Sequence, residues 1–405
     1  MPQRILSILA RLSRASLITA VSSACALLEL WALGSRLPVH ELGVVLAAQG
    51  AAALLAAVGE AGLSLWAAQR LATCATPRRL TALSRYAIAV RLPLFAVQAL
   101  LIALAARYTL VGWSHFGVTL LMSASMAFSF GWIFIATEHY LPLAATEGVA
   151  RVTGLAAFLV IPVKSADTAL LCLALSGAAQ SLLQLFVARR TGLLTAMPAL
   201  RFRRVRIHVR HVAAYRSAVI LAVGRNILPV SVGAIVAAPI ASTALAAEKV
   251  SRAATGVVSA VLGYILPALG RGFRERRAVH VFGINLFAAA VVASATAAAL
   301  AVYIHVSHAP LAALFSGDIA LLATAAILTG TRVAFSATLY TRVLARGDFV
   351  LASRLLAAQT VSAGFAAILL QAFSSVVLLL VVLSLFDLAL VALAVQFGQR
   401  IQEKR

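Results

Sequence analysis

The fold is decided by stretches such as residues 374–397, which read SSVVLLLVVLSLFDLALVALAVQF and contain one ionisable residue, Asp387. A helix needs about 20 residues to cross the hydrocarbon core of a bilayer, so this stretch predicts a transmembrane helix. Dividing the chain at its charged residues, prolines and glycines gives eleven more stretches of this kind. The twelve predicted spans are 15–35, 42–68, 87–106, 116–137, 140–162, 167–188, 214–238, 242–268, 281–303, 317–341, 353–371 and 374–397.

The composition of the whole chain also indicates a membrane protein. Of its 405 residues, 62% are hydrophobic and 11% are charged, and the mean hydropathy is +1.00. Soluble globular proteins average about 45–50% apolar and about 25% charged residues. Because lipid cannot satisfy free backbone groups, continuous helices are the expected structure. We therefore predict an all-α polytopic membrane protein with about 12 transmembrane helices and no large domain outside the membrane.

The charged residues are strongly one-sided, with 34 lysines and arginines against 12 aspartates and glutamates and a formal net charge of +22. Of the basic residues, 26 are assigned to the side that holds the N-terminus, including Arg151 after span four. Loops rich in Lys and Arg remain cytoplasmic, so both termini are predicted to be cytoplasmic. Because the basic residues punctuate apolar runs and form no soluble basic face, nucleic acid is not an expected partner.

The longest and most basic loop, from Arg189 to Arg216, separates the predicted spans into two sets of six. We predict an N-terminal six-helix bundle over 1–188, a basic cytoplasmic linker over 189–213 and a C-terminal six-helix bundle over 214–405. The loop is interpreted as a determinant of topology that contacts anionic membrane lipids. A site for a specific partner is the less favoured alternative.

The sequence lacks the residue patterns of an enzyme or a metalloprotein. It contains no HExxH, no GxSxG and no acidic metal pair, and its three cysteines are far apart without CxxC spacing. No predicted outer loop is long enough for a catalytic domain. We therefore predict no catalytic residue, no metal and no cofactor.

Ionisable residues inside predicted spans are rare in membrane proteins and are therefore functional candidates. Arg225 lies nine residues past Arg216, and Arg332 lies ten residues before the next arginine, about 13 and 15 Å into the membrane. A guanidinium fork suits phosphate oxygens, so both arginines are predicted to bind an anionic headgroup of a substrate. The alternative is a structural ion pair with Glu60 or Asp387.

Three further basic residues are weaker candidates for binding the same substrate. Arg91 lies six residues past Arg85 and is expected to reach the membrane interface by snorkelling. Lys249 and Arg252 are placed at the outward end of span eight. There they either receive an anionic group as it leaves or only mark the membrane boundary.

Three acidic residues in the predicted spans are candidates for carrying a coupling proton or cation. Glu60 lies ten residues before Arg70, near the middle of the membrane, and Asp387 lies deep in span twelve. Glu29, in the outward third of span one beside Trp31, is interpreted as a residue of the outer interface.

Several short motifs resemble the pattern of polysaccharide flippases of the Wzx type. An outer-loop motif at Ser35–Gly43 leads into Ala47–Gln49 and then into Gly59–Leu63. The other matching segments are Trp132–Phe134 with Glu138, Arg151, Ser165–Asp167, Arg225–Pro229, Ala246–Val250, Ile265–Leu269 and Leu314–Gly317. The resemblance covers nearly the whole chain. It implies a twelve-helix fold of two six-helix bundles, shared with the multidrug and toxin extruders, and a lipid-linked oligosaccharide as cargo.

With this resemblance, the sequence favours a flippase of the bacterial inner membrane rather than an enzyme. It would move a polyprenyl-diphosphate-linked oligosaccharide by alternating access, for O-antigen, capsule or exopolysaccharide biosynthesis. The expected partners are this substrate, membrane lipids and other membrane proteins of polysaccharide assembly. A drug or cation antiporter of the same fold is the first alternative. A major-facilitator transporter and an integral-membrane glycan polymerase or ligase are the others.

Overall fold

The structure is a computed structural model, and every regular element in its described part is a helix. The described residues are 25, 28–60, 76–108, 113–137, 139–195, 219–220, 223, 226–236, 240–252, 255, 319–339, 343 and 349–403. Within these ranges no residue forms a strand, which confirms the predicted all-α fold. The predicted span 281–303 lies outside the described residues.

The helices are numbered here in chain order. They are α1 (Val39–Glu60), α2 (Pro77–Tyr108), α3 (Phe116–Ala127), α4 (Gly131–Ala136), α5 (Tyr140–Val160), α6 (Ala166–Arg190), α7 (Ile319–Thr338), α8 (Phe349–Phe373) and α9 (Val376–Glu403). Shorter helical segments cover 28–36, 226–235 and 240–252.

Eight spans within the described residues are long and apolar enough to cross a membrane. The stretch 374–397 corresponds to α9, which continues to Glu403. Only Ser374 and Ser375 separate α9 from α8, and Ser374 adopts a left-handed conformation with φ 52° that reverses the chain. The two helices therefore form a tight hairpin in which α8 packs against α9.

Three details differ from the sequence predictions. The helix predicted over 87–106 is α2, which has 32 residues and a length of about 48 Å, so it extends beyond a hydrocarbon core of about 30 Å. The span predicted over 116–137 is broken at residues 128–130, between α3 and α4. Arg151 was counted above with the basic residues after span four, but it lies within predicted span five and in the middle of α5 with an exposed side chain, so that count was wrong.

The chain divides into two compact units. The continuous unit is Val44–Asn226, and the split unit combines Met1–Gly43 with Ile227–Arg405. The predicted linker 189–213 is described only as far as Thr195. The proposed boundaries of the two six-helix bundles therefore stay a prediction.

In the continuous unit, α6 is the central helix and packs against α3, α4 and α5. Small and hydroxyl-bearing residues line these contacts. Ser181 Oγ donates to the Ser125 carbonyl at 2.9 Å, and Ser176 Oγ donates to the Ala150 carbonyl at 2.7 Å. Such contacts let membrane helices approach closely without an apolar driving force between them.

In the split unit, α9 packs against both α7 and α8. The segment 240–252 is joined to the first residue of α1, because Ser242 Oγ donates to the Val39 carbonyl at 2.7 Å. Helices α7, α8 and α9 and segment 240–252 carry the side chains of the candidate site.

Gly59 marks a close approach of helices in the continuous unit and gives a first prediction. A Cβ atom at this position would lie 2.8 Å from Ala127 Cβ, which cannot rotate away, and 2.7 Å from Gln98 Oε1. We expect Gly59→Ala to lower the thermal unfolding midpoint, because overpacking costs about 1–3 kcal/mol and exceeds the gain in helix propensity of about 1 kcal/mol. Scanning fluorimetry of the detergent-purified protein measures this midpoint.

Gly364 is the matched control because it also lies within a helix, and a Cβ atom there would meet nothing within 4 Å. Gly364→Ala should leave the midpoint unchanged or raise it. Equal midpoints for the two variants would contradict the proposed close approach at Gly59.

Candidate functional site

A cluster of buried charges joins three helices of the split unit. Arg332 on α7 lies between Glu248 of segment 240–252 and Asp387 on α9. Arg332 Nη1 donates to Glu248 Oε1 at 3.2 Å, and Arg332 Nε lies 3.8 Å from Asp387 Oδ2. The side chain of Glu248 is 1% exposed and that of Asp387 is 4% exposed. One guanidinium therefore connects two buried carboxylates.

Two further side chains extend this charge cluster at its ends. Arg252 lies one helical turn after Glu248 in the same segment, and its Nε lies 2.6 Å from Glu248 Oε2. This contact is an ion pair, but its geometry is not that of a hydrogen bond. Gln359 Nε2 on α8 donates to Asp387 Oδ1 at 2.9 Å. The charge cluster therefore consists of Arg252, Glu248, Arg332, Asp387 and Gln359.

The cluster residues on α7, α8 and α9 lie well inside their helices. Arg332 is 13 residues from the start of α7, and Gln359 and Asp387 are 10 and 11 residues from the starts of α8 and α9. At 1.5 Å per residue, these positions are about 15–20 Å along each helix. Arg332 and Asp387 therefore lie near the middle of helices that are long and apolar enough to cross a membrane.

The cluster is balanced in charge, with two guanidinium groups facing two carboxylates. In a low-dielectric interior such a network is stable only while each charge keeps its partner, and removing one partner typically costs about 3–5 kcal/mol. Arg332 has no neutral state near physiological pH, whereas a carboxylate becomes neutral when it binds a proton. By residue type, Glu248 and Asp387 are therefore the charged members of the cluster that have a neutral form.

A second ion pair in the split unit joins the first helical segment to 240–252. Lys249 Nζ lies 3.1 Å from Glu29 Oε1, and the two side chains are only 13% and 11% exposed. Glu29 is therefore buried and paired within the split unit, and its position at the outer interface stays a prediction. Lys249 is an internal partner of this carboxylate.

Arg91 occupies a different environment in the continuous unit, at the break between α3 and α4. Its side chain is fully buried, and Nη1 donates to the Ser129 carbonyl at 2.9 Å. The guanidinium carbon lies 5.8 Å from the centre of the Phe130 ring. The expectation that Arg91 snorkels to the interface was wrong, because the helix break offers this side chain an internal backbone acceptor.

The remaining sequence candidates have separate outcomes. Glu60 belongs to the continuous unit, where its carboxylate acts electrostatically on Arg91. Arg332 and Asp387 form the ion pair that was the alternative to substrate binding. Arg225 lies outside the described residues, so its role stays a prediction.

Sequence reasoning missed Glu248, although this residue contacts both arginines of the cluster. The signal was present in its spacing, since Glu248 and Arg252 are four residues apart and therefore share one helix face. Lys249 and Arg252 had been considered either as contacts for a leaving anion or as a membrane boundary, whereas Glu248 appeared only within the resemblance motif Ala246–Val250. Among the described residues, no group of three or more His, Cys, Asp and Glu side chains could hold a metal ion.

Solved structures with a similar fold are MATE family transporters, the multidrug and toxin extruders. An outward-facing multidrug resistance MATE transporter of the MOP superfamily is 13% identical, over 96% of this chain and 94% of its own, with a TM-score of 0.65. A MATE in the bent conformation has 13% identity, coverage of 96% and 94%, and a TM-score of 0.55. A eukaryotic MATE transporter has 14% identity, coverage of 98% and 99%, and a TM-score of 0.55.

No family model matches the sequence, and no curated protein matches it. At 13–14% identity, the structural likeness establishes the fold. The chain is a multi-pass membrane protein with the fold of the twelve-helix MATE transporters. This confirms the predicted fold class.

The charge cluster predicts a ranking of two conservative substitutions. Glu248→Gln removes the carboxylate that contacts Arg252 and Arg332, so we expect a loss of about 3–5 kcal/mol of stability. Asp387→Asn should lose less, because Asp387 contacts Arg332 only at 3.8 Å and an asparagine oxygen can still accept from Gln359. Chemical unfolding of both purified variants in detergent measures the difference, and an equal or larger loss for Asp387→Asn would contradict the ranking.

Proposed function

We propose that this protein is a membrane exporter that works by alternating access and carries an anionic, lipid-linked cargo. The observation that carries the proposal is the position of Arg332 between Glu248 and Asp387. The MATE fold supports the transporter class, and the chemistry of the charge cluster supports the sign of the cargo.

The cluster favours an anion because its two kinds of charge are not equivalent. Proton uptake by Glu248 or Asp387 would release Arg332, which could then bind an anionic group with its planar fork. The reverse does not occur, since an arginine does not lose its proton to release the carboxylates for a cation. A cationic cargo would instead have to displace a buried guanidinium from both carboxylates.

The proposed cargo is a polyprenyl-diphosphate-linked oligosaccharide, and the proposed location is the bacterial inner membrane. The diphosphate would bind Arg332, with Arg252 of the same charge cluster as a further candidate contact, while the lipid tail remains in the bilayer. Lys249 is retained as a candidate only if its pair with Glu29 opens. The resemblance to Wzx-type flippases supports this cargo, and polysaccharide-assembly membrane proteins are the proposed partners.

Coupling to protons is proposed to occur at Glu248 and Asp387, the two carboxylates that hold Arg332. Glu60 and Glu29 become weaker coupling candidates, since Glu29 is paired with Lys249 and Glu60 acts on Arg91. With this assignment, the carboxylates that would bind the coupling proton directly contact Arg332, which would bind the cargo.

A drug or cation antiporter is the second candidate function. It is favoured by the neighbouring structures, one of which is described as a multidrug resistance transporter. In that case Glu248 and Asp387 would bind the cation, and Arg332 would occupy their site when it is empty.

Reconstitution into liposomes separates the two candidates. The probes are a fluorescent short-chain polyprenyl-diphosphate oligosaccharide, followed with a membrane-impermeant quencher, and a cationic dye. We expect the protein to move the diphosphate probe and not the dye. Arg332→Ala should slow movement of the diphosphate probe about tenfold or more, since hydrogen bonds to charged groups contribute about 1.5–3 kcal/mol.

Arg354 provides the matched control because it is an exposed arginine near the start of α8. Arg354→Ala should transport like the unchanged protein. Movement of the dye without movement of the diphosphate probe would replace the anionic proposal by the antiporter. Equal transport by Arg332→Ala and Arg354→Ala would remove Arg332 from the cargo site.

A further inference from the structure

The break between α3 and α4 gathers polar side chains from two other helices of the continuous unit. Arg91 on α2 donates through Nη1 to the Ser129 carbonyl. Gln184 on α6 accepts through Oε1 from Ser129 Oγ and from the Phe130 N–H, both at 2.9 Å. The backbone released by the break is thus bonded by side chains, as irregular backbone within a membrane requires.

The same side chains keep several hydrogen-bond donors without an acceptor. Arg91 Nε, Arg91 Nη2, Gln184 Nε2 and Trp132 Nε1 are buried and have no partner among the described residues. All four atoms are donors and none can accept. The arrangement therefore lacks an acceptor of several hydrogen bonds, and Arg91 adds a positive charge to the same place.

The surroundings make this lack of an acceptor energetically significant. Phe130, Trp132, Ile133 and Phe134 belong to a buried apolar cluster that includes Leu80, Ala87, Leu143, Ala188 and Leu194. A guanidinium in such a low-dielectric region requires hydrogen bonds and negative charge close by. Glu60 supplies some of the negative charge, but it leaves the three Arg91 and Gln184 donors without hydrogen bonds.

The donor set lies just below a basic end of the continuous unit. The start of α2 and the residues after α6 are joined there, since Thr81 Oγ1 lies 3.0 Å from Thr195 Oγ1. The exposed arginines at this end are Arg78, Arg79, Arg85, Arg189 and Arg190. Along their helices, Arg91 is about 9 Å beyond Arg85 and Gln184 is about 8 Å before Arg189. This distance is comparable to the thickness of a headgroup layer, about 5–8 Å per leaflet.

We propose that Arg91 and Gln184 form a binding site for a phosphate-type oxyanion at the break between α3 and α4. The oxyanion is either the phosphate of a lipid headgroup or free inorganic phosphate, which offer the same oxygen acceptors. The basic end would attract it, and the guanidinium and amide donors would bind it. The proposal does not depend on the proposed export function, because it concerns binding within the continuous unit and not transport by the charge cluster of the split unit.

Ligand-dependent thermal unfolding of the full chain tests the site. The protein is purified in a maltoside detergent, which contains no phosphate, and is stripped of lipid. One arm adds inorganic phosphate at constant ionic strength, and the other adds phosphatidylglycerol in mixed micelles without free phosphate. We expect a saturable rise of the unfolding midpoint in at least one arm, and the responding arm identifies the source of the oxyanion.

Gln184→Glu is the decisive variant because it keeps the Oε1 acceptor and replaces the Nε2 donor with a carboxylate oxygen. The new carboxylate should take the place of the anion beside Arg91. The midpoint without ligand should then equal or exceed that of the unchanged protein, and the response to phosphate or phosphatidylglycerol should disappear. Arg91→Lys, which keeps the charge but loses the fork, should bind about tenfold more weakly, the loss of roughly one charge-assisted hydrogen bond.

Arg107→Gln is the matched control, since Arg107 lies in the last turn of the same helix, at the end remote from Arg91 and the basic end, with an exposed side chain. It should keep the saturable response. The absence of a saturable rise in both arms would show that water alone satisfies the donors and would overturn the proposal. An undiminished response in Gln184→Glu and Arg91→Lys would overturn it as well, by placing the binding elsewhere.

Discussion

The hydrocarbon core of a bilayer supplies no hydrogen bonds, so a charge that enters it must find its partner inside the protein. Arg332 meets this constraint by lying between Glu248 and Asp387. Because these residues belong to three different helical segments, the pairing also links α7, α9 and 240–252. The same contacts that make the buried arginine tolerable therefore determine which faces of these helices meet.

The continuous unit satisfies the same constraint by other means. Its break at residues 128–130 releases backbone groups, and Arg91 and Gln184 bond them from α2 and α6. In the split unit, charged side chains bond mainly to each other, whereas in the continuous unit a charged side chain bonds to backbone. In a continuous helix, these backbone N–H and C=O groups would bond to each other. A break of this kind leaves them in need of other partners within the membrane.

The sequence predicted what depends on long apolar runs and missed what depends on neighbours in space. The stretch 374–397 is recognisable because about 20 apolar residues have few alternatives to a spanning helix. The break after Ala127 carries no proline, and the residues that support it, Arg91 and Gln184, are distant in the chain. The burial of Arg91 was underestimated because it was judged only from the short distance along the chain to Arg85. That distance does not show that neighbouring helices cover the Arg91 side chain. Glu248 was missed because it stands next to Lys249, in a short charged group typical of a membrane boundary.

The net charge of +22 says little about the cargo, since the charge cluster itself is balanced. Whether the cluster suits an anionic or a cationic cargo depends on which of its members can change their charge. Carboxylates bind and release protons, whereas the guanidinium groups of Arg252 and Arg332 stay charged in both states. A balanced cluster of this composition can become net positive by binding a proton, but it cannot become net negative by losing one from arginine. Under the proposed function, protonation of the carboxylates would release the arginines, and the fixed positive charge of the arginines would select an anionic group in place of the carboxylates.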